Sequence, residues 1–300
     1  MDGKQYVIVC TFNRTTEVER LIRELAGQTC PVFIVLVDAG TPENYGLNEL
    51  ALQESLKVGE YAHIRSEALL PHQRQVGVDF VLSRHPNVGE IHFIDDDVSV
   101  YPDHIRRMAS ILRSLEPEAV VLGPRDCPFN QVRGWRLWVR SKLGGRLYKS
   151  GLYFPVRGDI ALVEVDWLPG NCWTVRSSVF QSFSFRSYNF FFAEDLAASL
   201  AWRQLGTLWS TPDVEIDHRV SSTGRPDHRD VVFQSRRAIW NLAAEYPMQL
   251  SRFCMLVVEI LLILKNLSLS IFTFRRRADA TSKFDGHIDF LKSHFVNSVD

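Results

Sequence analysis

An apolar run that stops in three adjacent carboxylates most constrains what this chain can fold into. Ile91-His92-Phe93-Ile94 leads into Asp95-Asp96-Asp97, and Tyr101-Pro102-Asp103 leads out toward a turn and a helix. A buried strand can carry such a cluster only at its end, because taking even one uncompensated charge out of water is costly. If the strand continues through the cluster, Asp95 and Asp97 share one face and Asp96 takes the other. An Asp-x-Asp pair suits a hard divalent cation, Mg²⁺ or Mn²⁺. Such an ion takes one or two carboxylates and completes its shell with phosphate oxygens and water. A solvated acidic turn is the plainer alternative.

Other short apolar runs have the same form. Tyr6 to Cys10 ends at Thr11-Phe12-Asn13-Arg14, and Pro31 to Val37 ends at Asp38-Ala39-Gly40-Thr41-Pro42. Further strands are expected at His63–Arg65, Ala119–Gly123 and Val163–Trp167. Helical periods fall between them: Glu17 to Ala26, with Val18, Leu21, Ile22 and Leu25 on one face, then Leu47 to Ser55 and Pro71 to Ser83. This alternation predicts an α/β sheet, whose ligands sit beyond the carboxyl ends of the strands. Thr11 to Arg14, Asp38 and Asp95 to Asp97 are therefore expected at one crevice. A later helix opens at Glu194-Asp195 and runs to about Leu205. Two acids there also suit the helix dipole, so capping competes with chemistry.

With 46% apolar and 23% charged residues, the 300-residue chain has the composition of one large globular domain, or a domain with an appendage. A net charge of −1 supplies no field to attract nucleic acid. Five scattered cysteines without a C-x-x-C argue against a disulfide framework or zinc site and fit a reducing cytosol. The N-terminal stretch has no signal-peptide layout. Residues 125–160 are rich in Arg, Gly and Trp and read as a functional loop.

Phe253 to Phe274 is the strongest shift in composition. As a helix it extends about 33 Å, enough to cross a bilayer. Glu259, Lys265 and Asn266 interrupt it, and Arg275-Arg276-Arg277 follows. The expected arrangement is helical segments lying in a membrane interface with arginines near anionic head groups. A buried core or dimer helix and a true span are the alternatives. The expected division is a catalytic domain over 1–245 and a helical extension over 246–300.

Five ordered motifs resemble family 2 glycosyltransferases of the GT-A fold over about residues 5–245. VIVCTFNR resembles the first strand and nucleotide loop. VLVDAGT resembles the second strand end, with Ala39 where the family has a second acid. IHFIDDDVSVYPD resembles the metal motif, WLPGNCWTVRSSVF the acceptor-side segment, and FAEDLAASLAWRQLG the Glu-Asp motif. The resemblance implies a Rossmann-like, mainly parallel sheet flanked by helices. It also implies a nucleotide-diphosphate sugar donor held by Thr11, Asn13, Arg14, Asp38, Arg74, Asp95 and Asp96. Mn²⁺ or Mg²⁺ would sit on Asp97, Asp95 and His218. Arg74 is alternatively a surface arginine, and His218 an ordinary strand-end histidine.

Asp195 is implied as the general base of an inverting displacement, with Glu194 as fallback. Trp167, Gly170, Asn171 and Trp173 are implied on the acceptor side. Under the same resemblance Trp135, Trp167 and Trp173 are candidates for stacking on sugar faces or for the core. Arg133, Arg136, Arg140, Lys142, Arg146 and Lys149 then suit a phosphate-bearing acceptor or a solvated loop. Arg219 and Arg225 belong to a polar segment read as a lid or a plain loop. RRAIWNLAAEYP resembles bacterial rhamnosyl- and galactofuranosyl-transferases, and Gln234, Arg237 and Trp240 depart from the spacing of processive enzymes. The expected role is transfer from a UDP- or dTDP-sugar to a glycan or polyprenyl-linked acceptor of a bacterial surface polysaccharide. The protein would be cytoplasmic and peripheral on the inner membrane face, and a homo-oligomer is open. A sugar-nucleotide nucleotidyltransferase is the first rival, but TFNRTT lacks the glycine-rich triphosphate loop. A non-catalytic nucleotide-sugar-binding scaffold is the second.

Overall fold

Each apolar run read from the sequence forms a strand, and residues of alternating side-chain direction enter two separate cores. Tyr6, Ile8 and Cys10 of β1 (Gln5–Thr11) pack with Phe33, Val35 and Val37 of β2 (Val32–Asp38) on one face. Val7, Val9, Ile34 and Leu36 pack on the other. Covering both faces is what makes these strands continuous rather than alternating in hydropathy. The computed structural model describes residues 3–57, 59–126, 143–156, 161–185, 192–219, 227–272 and 277–295.

The sheet order is β3-β2-β1-β4-β8-β6-β9-β5, with β7 also paired to β9. Here β3 is Tyr61–Arg65, β4 Glu90–Asp95, β5 Val98–Val100, β6 Ala119–Asp126, β7 Val163–Val165, β8 Cys172–Arg176 and β9 Thr207–His218. The β3-β2-β1-β4 half is parallel. Helices α1 (Thr15–Ala26) and α2 (Pro42–Ser55) cover one face through Val18, Leu21, Ile22, Leu25, Ala51 and Leu52. Helix α3 (Leu70–Arg84) covers the other through Val78 and Val81. It lies so close to β1 that a Cβ on Gly77 would come within 2.6 Å of Ile8 Cγ2. Helix α4 is His104–Ser114 and α5 is Glu194–Trp202.

Three expectations change. Helix α2 begins at Pro42, not Leu47: Thr41 Oγ1 accepts from Asn44 N, and Pro42 fits the first turn. Residues 172–176, part of the acceptor-side motif and not read as a strand, form β8 between β4 and β6. Cys172 and Trp173 point into different cores, so no alternation marked this strand. Strand β9 was hidden by Pro212 and its acids. Its pairing with β6 jumps from Pro124↔Thr211 to Arg125↔Glu215, so Pro212 sits in a bulge.

Two compact units partition the chain. The first comprises Met1–Arg146, Phe154–Tyr188 and Ala198–Ser221, and the second Leu147–Tyr153, Asn189–Ala197 and Ser222–Asp300. In the second, α6 (His228–Glu245), α7 (Arg252–Phe272) and α8 (Arg277–Phe295) share a polar centre. Glu259 of α7 is 2% exposed, pairs with Arg236 of α6 at 3.1 Å, and accepts from His287 of α8. Among the described residues, no helix is long and apolar enough to cross a membrane.

His92 is sealed inside the sheet, with Nδ1 2.9 Å from Thr174 Oγ1 and Nε2 3.2 Å from Gln5 Oε1. Burial, with smaller effects from His104 and Arg113, lowers its pKa to about 3. The unfolded chain therefore binds this proton between pH 6.5 and 3 while the folded chain does not. Stability falls as pH drops through that window, by up to about 1.4 kcal/mol per pH unit for this one group. Urea unfolding of His92→Gln across pH 4 to 7 is expected to show a flatter slope than wild type.

Candidate active site

Register places the polar strand ends together. Thr11 lies opposite Asp38, and Cys10 opposite Asp95, so the loops after β1, β2 and β4 leave one edge of the parallel half-sheet. β4 stops at Asp95, and Asp96-Asp97 form a tight turn into β5. Strict strand alternation across the acids therefore does not hold. The turn sends each carboxylate to a different partner.

Asp95 meets Arg74 Nη2 at 3.3 Å, and the same nitrogen donates to Gly170 O at 2.8 Å. The Arg74 guanidinium lies 4.5 Å above the Trp173 ring and is 1% exposed, so it is not a surface arginine. Although 29% of the Asp95 side chain meets solvent, protein around it removes much of its hydration. That desolvation raises its pKa, and the charge of Asp97 adds to the rise, while Arg74 and His218 pull the other way. Asp96 turns back under β1, where Thr11 Oγ1 donates at 2.7 Å and Arg14 Nη1 at 2.8 Å. Its burial outweighs those partners and pushes its pKa up to about 6. Asp97 lies 3.5 Å from Arg14 Nη1 and 3.2 Å from His218 Nε2.

His218 comes from the end of β9, aligned opposite Val98. Asn171 Nδ2 donates to His218 Nδ1 at 3.2 Å, which leaves the proton on Nε2, facing Asp97. The main-chain N of Arg219 donates to Asp97 O at 2.9 Å, and its side chain pairs with Asp217. Among the described residues, no three His, Cys, Asp or Glu side chains form a ready metal cage. The site offers a pair instead. The 3.2 Å between Asp97 Oδ1 and His218 Nε2 is about the spacing of adjacent ligands on an octahedral ion with bonds of about 2.1 Å. A divalent ion fits there if diphosphate and water complete its shell, and it would replace the Nε2 proton.

On the β2 side, Asp38 is fully buried. Its carboxylate accepts from Gly40 N and Asn48 Nδ2, both at 2.7 Å, and lies 3.3 Å from His63 Nε2. Burial raises its pKa, but the hydrogen bonds from His63, Asn48 and Gly40 more than offset that, and the net shift is downward. His63 Nδ1 is 2.7 Å from Glu49 Oε2, and its ring stacks on Tyr45 at 3.7 Å. Sequence reasoning missed His63, Glu49, Asn48 and Tyr45. The available signal was the placement of His63 one alternation before Arg65, which aligns with Asp38. Asn13 adopts φ 56°, and its Oδ1 accepts from Thr41 N and Asn44 Nδ2, both at 2.9 Å. It ties the β1 loop to the start of α2.

Of the two readings open for Trp173 and Trp167, sugar stacking or core, the structure gives core. Trp173 is fully buried, with Trp202 edge-on at 4.8 Å and Phe185 stacked at 6.5 Å. Trp167 is 5% exposed, and its indole N–H donates to Phe154 O. Trp135, Arg133, Arg136, Arg140, Lys142 and Arg225 lie outside the described residues.

Glu194 and Asp195 belong to the second unit. Asp195 Oδ1 accepts from Leu196 N at 2.7 Å in the first turn of α5. The preceding Ala193 has φ 64°, a left-handed conformation costly for a residue with a Cβ. In the same unit, burial raises the pKa of the Tyr153 phenol. The charges of Asp195 and Glu194 add to that rise, and Arg236 opposes it.

No protein-family model and no curated protein matches this sequence. Solved structures do. The mannosyltransferase PcManGT from Pyrobaculum calidifontis, in complex with GDP-Man and Mn²⁺, aligns at TM-score 0.58 with 13% identity, covering 96% of this chain and 87% of that one. TarS 1-349 of S. aureus in complex with UDP-GlcNAc aligns at 0.55 with 15% identity, covering 97% and 81%. The fold is that of GT-A glycosyltransferases. A longer S. aureus TarS structure aligns at 0.52 with 14% identity over 98% of this chain, which spans 45% of that one. At these identities the shared property is the fold.

Replacing Arg74 with Ala strips the counter-charge from Asp95 and the cation from the Trp173 face. Urea unfolding of Arg74→Ala is expected to show a loss of about 3 kcal/mol, where an exposed helix arginine would cost less than about 0.5 kcal/mol.

Proposed function

We propose that this chain is a nucleotide-sugar-dependent glycosyltransferase. The observation that carries the reading is the register of β1, β2 and β4, which gathers Thr11, Asp38 and Asp95 at one edge. Structures of the same fold with UDP-GlcNAc and with GDP-Man support it.

In this reading the donor's base lies against the Asn13–Thr41 bridge and the wall built by His63, Tyr45 and the buried Asp38. Asp38 acts by fixing that wall. Arg14 and Asp95 face the ribose and diphosphate, and Arg74 holds Asp95 in place. Asp97 and His218, with Asp95 adjoining, would hold Mn²⁺ or Mg²⁺, which when bound supplies positive charge to the departing diphosphate. Asp195 takes the proton from the acceptor hydroxyl. That oxygen then bonds to the anomeric carbon from the face opposite the diphosphate, and the bond from carbon to diphosphate oxygen breaks. One displacement inverts the centre. Glu194 is the fallback base. Gly170, Asn171 and the Arg219–Arg225 segment serve the acceptor side, and the acceptor is a glycan hydroxyl, free or lipid-linked, in bacterial surface polysaccharide synthesis at the inner membrane face. The 1–245 and 246–300 division and a family 2 relationship are part of the same proposal.

Calorimetry with UDP, dTDP, GDP and CDP, in Mn²⁺ and in EDTA, tests the donor site. One nucleoside diphosphate is expected to bind in Mn²⁺ and to be lost in Asp97→Ala. Binding by none of them rejects the nucleotide-sugar reading, and binding without any release of nucleoside diphosphate from a donor favours the scaffold. Asp195→Asn is expected to keep nucleotide affinity within about twofold while turnover falls at least roughly 100-fold. Near-wild-type turnover in that variant rejects Asp195 as the base.

A further inference from the structure

Helix α7 is built inside out. Its buried side carries Met255, Glu259 and Asn266, while Phe253, Val257, Ile260, Leu261, Leu264 and Leu267 are 41% to 75% exposed. At about 100° per residue these six fall in one stripe roughly 120° wide, opposite Glu259 and Asn266. The polar side is not free to turn outward. Glu259 is locked to Arg236 and His287 from the two neighbouring helices. The apolar stripe is therefore a fixed face of the helical unit, and contiguous exposed apolar surface of this kind marks an interaction site.

Charge and size decide what covers it. Arg252 and Lys265, both exposed, flank the stripe on its two sides, about 60° and 40° beyond its edges, and the only acid on α7 is the buried Glu259. Arg252 is steadied by Trp240, whose ring lies 5.0 Å from the guanidinium. The stripe spans about 21 Å of helix, and at 41% to 75% exposure its six side chains present roughly 600 Å² of apolar surface. A stable dimer needs roughly 800 Å² from each partner. An apolar stripe flanked by cations, smaller than a stable dimer's share and tied down along its back, matches the acyl–headgroup boundary of an anionic bilayer.

We infer that α7 lies flat on anionic lipid, with Phe253, Val257, Ile260, Leu261, Leu264 and Leu267 entering the boundary and Arg252 and Lys265 at the phosphates. The surface serves the proposed transfer by bringing the site to a lipid-borne acceptor, but its test does not need turnover. Full-length protein is sedimented with vesicles of phosphatidylcholine, with or without about one quarter phosphatidylglycerol. Binding is expected to be roughly tenfold tighter to the anionic vesicles and to weaken with salt. Leu261→Asp with Leu264→Asp, both at exposed positions, should abolish it while the circular dichroism spectrum is retained. Lys265→Glu should weaken binding to anionic vesicles only. The inference is overturned if wild type stays in the supernatant, or if the double variant sediments like wild type. It is also overturned if wild type forms a vesicle-free dimer that the double variant dissolves. Nucleotide calorimetry on the same preparations separates the two readings: lost vesicle binding with intact nucleotide binding removes only the surface, and the reverse removes only the transferase.

Discussion

Neutralising three adjacent carboxylates at the end of β4 organises much of the first unit. Each acid has a partner from a different element: the Arg74 cation from α3 for Asp95, the Arg14 cation from the loop after β1 for Asp96, and the Nε2 side of His218 from the end of β9 for Asp97. Removing any one leaves a charge in a place where water cannot reach it well. The acids therefore dictate where α3 seats, how the β1 loop turns and where β9 ends. Arg14 reaches both Asp96 and Asp97, so one guanidinium couples these two buried carboxylates.

The parts of this arrangement that were legible in the sequence share one property: local sequence suffices to specify them. Runs such as Tyr6–Cys10 and Val32–Val37 are apolar on both sides, and the face of α1 is a plain 3.6-residue repeat. Long-range pairing left weaker marks. β8 is five residues long, with Cys172 and Trp173 in different cores, and its antiparallel placement between β4 and β6 depends on partners 52 to 86 residues away. β9 looks like a polar loop until its bulge at Pro212 is seen.

The candidate site divides in the same way. Asp95, Asp97 and His218 could be named from motifs, and the structure brings Asp97 and His218 within 3.2 Å. The buried support was invisible. Asn48, Glu49 and Tyr45 lie on a helix of almost no amphipathic pattern, and His63 sits in a five-residue strand. Their relation to Asp38 is a product of register alone. Trp173 misled for the opposite reason: its motif suggested a ligand face, whereas its bulk is used to fill the core beneath Arg74.

The second unit draws on three separated stretches, Leu147–Tyr153, Asn189–Ala197 and Ser222–Asp300. Lys149 O accepts from Ser251 N at 2.7 Å, and Gly151 leaves no room for a Cβ against Ile239. Such threading has a genetic consequence. No single crossover between genes can carry the helical unit away whole, because two of its pieces are encoded within the sheet-forming region. Exchange of this unit among relatives would leave hybrid interiors with mismatched contacts. Divergence of the acidic pair at 194–195 and of the helices packed with it should therefore proceed by coordinated point substitution, with α7's outer stripe changing on its own schedule.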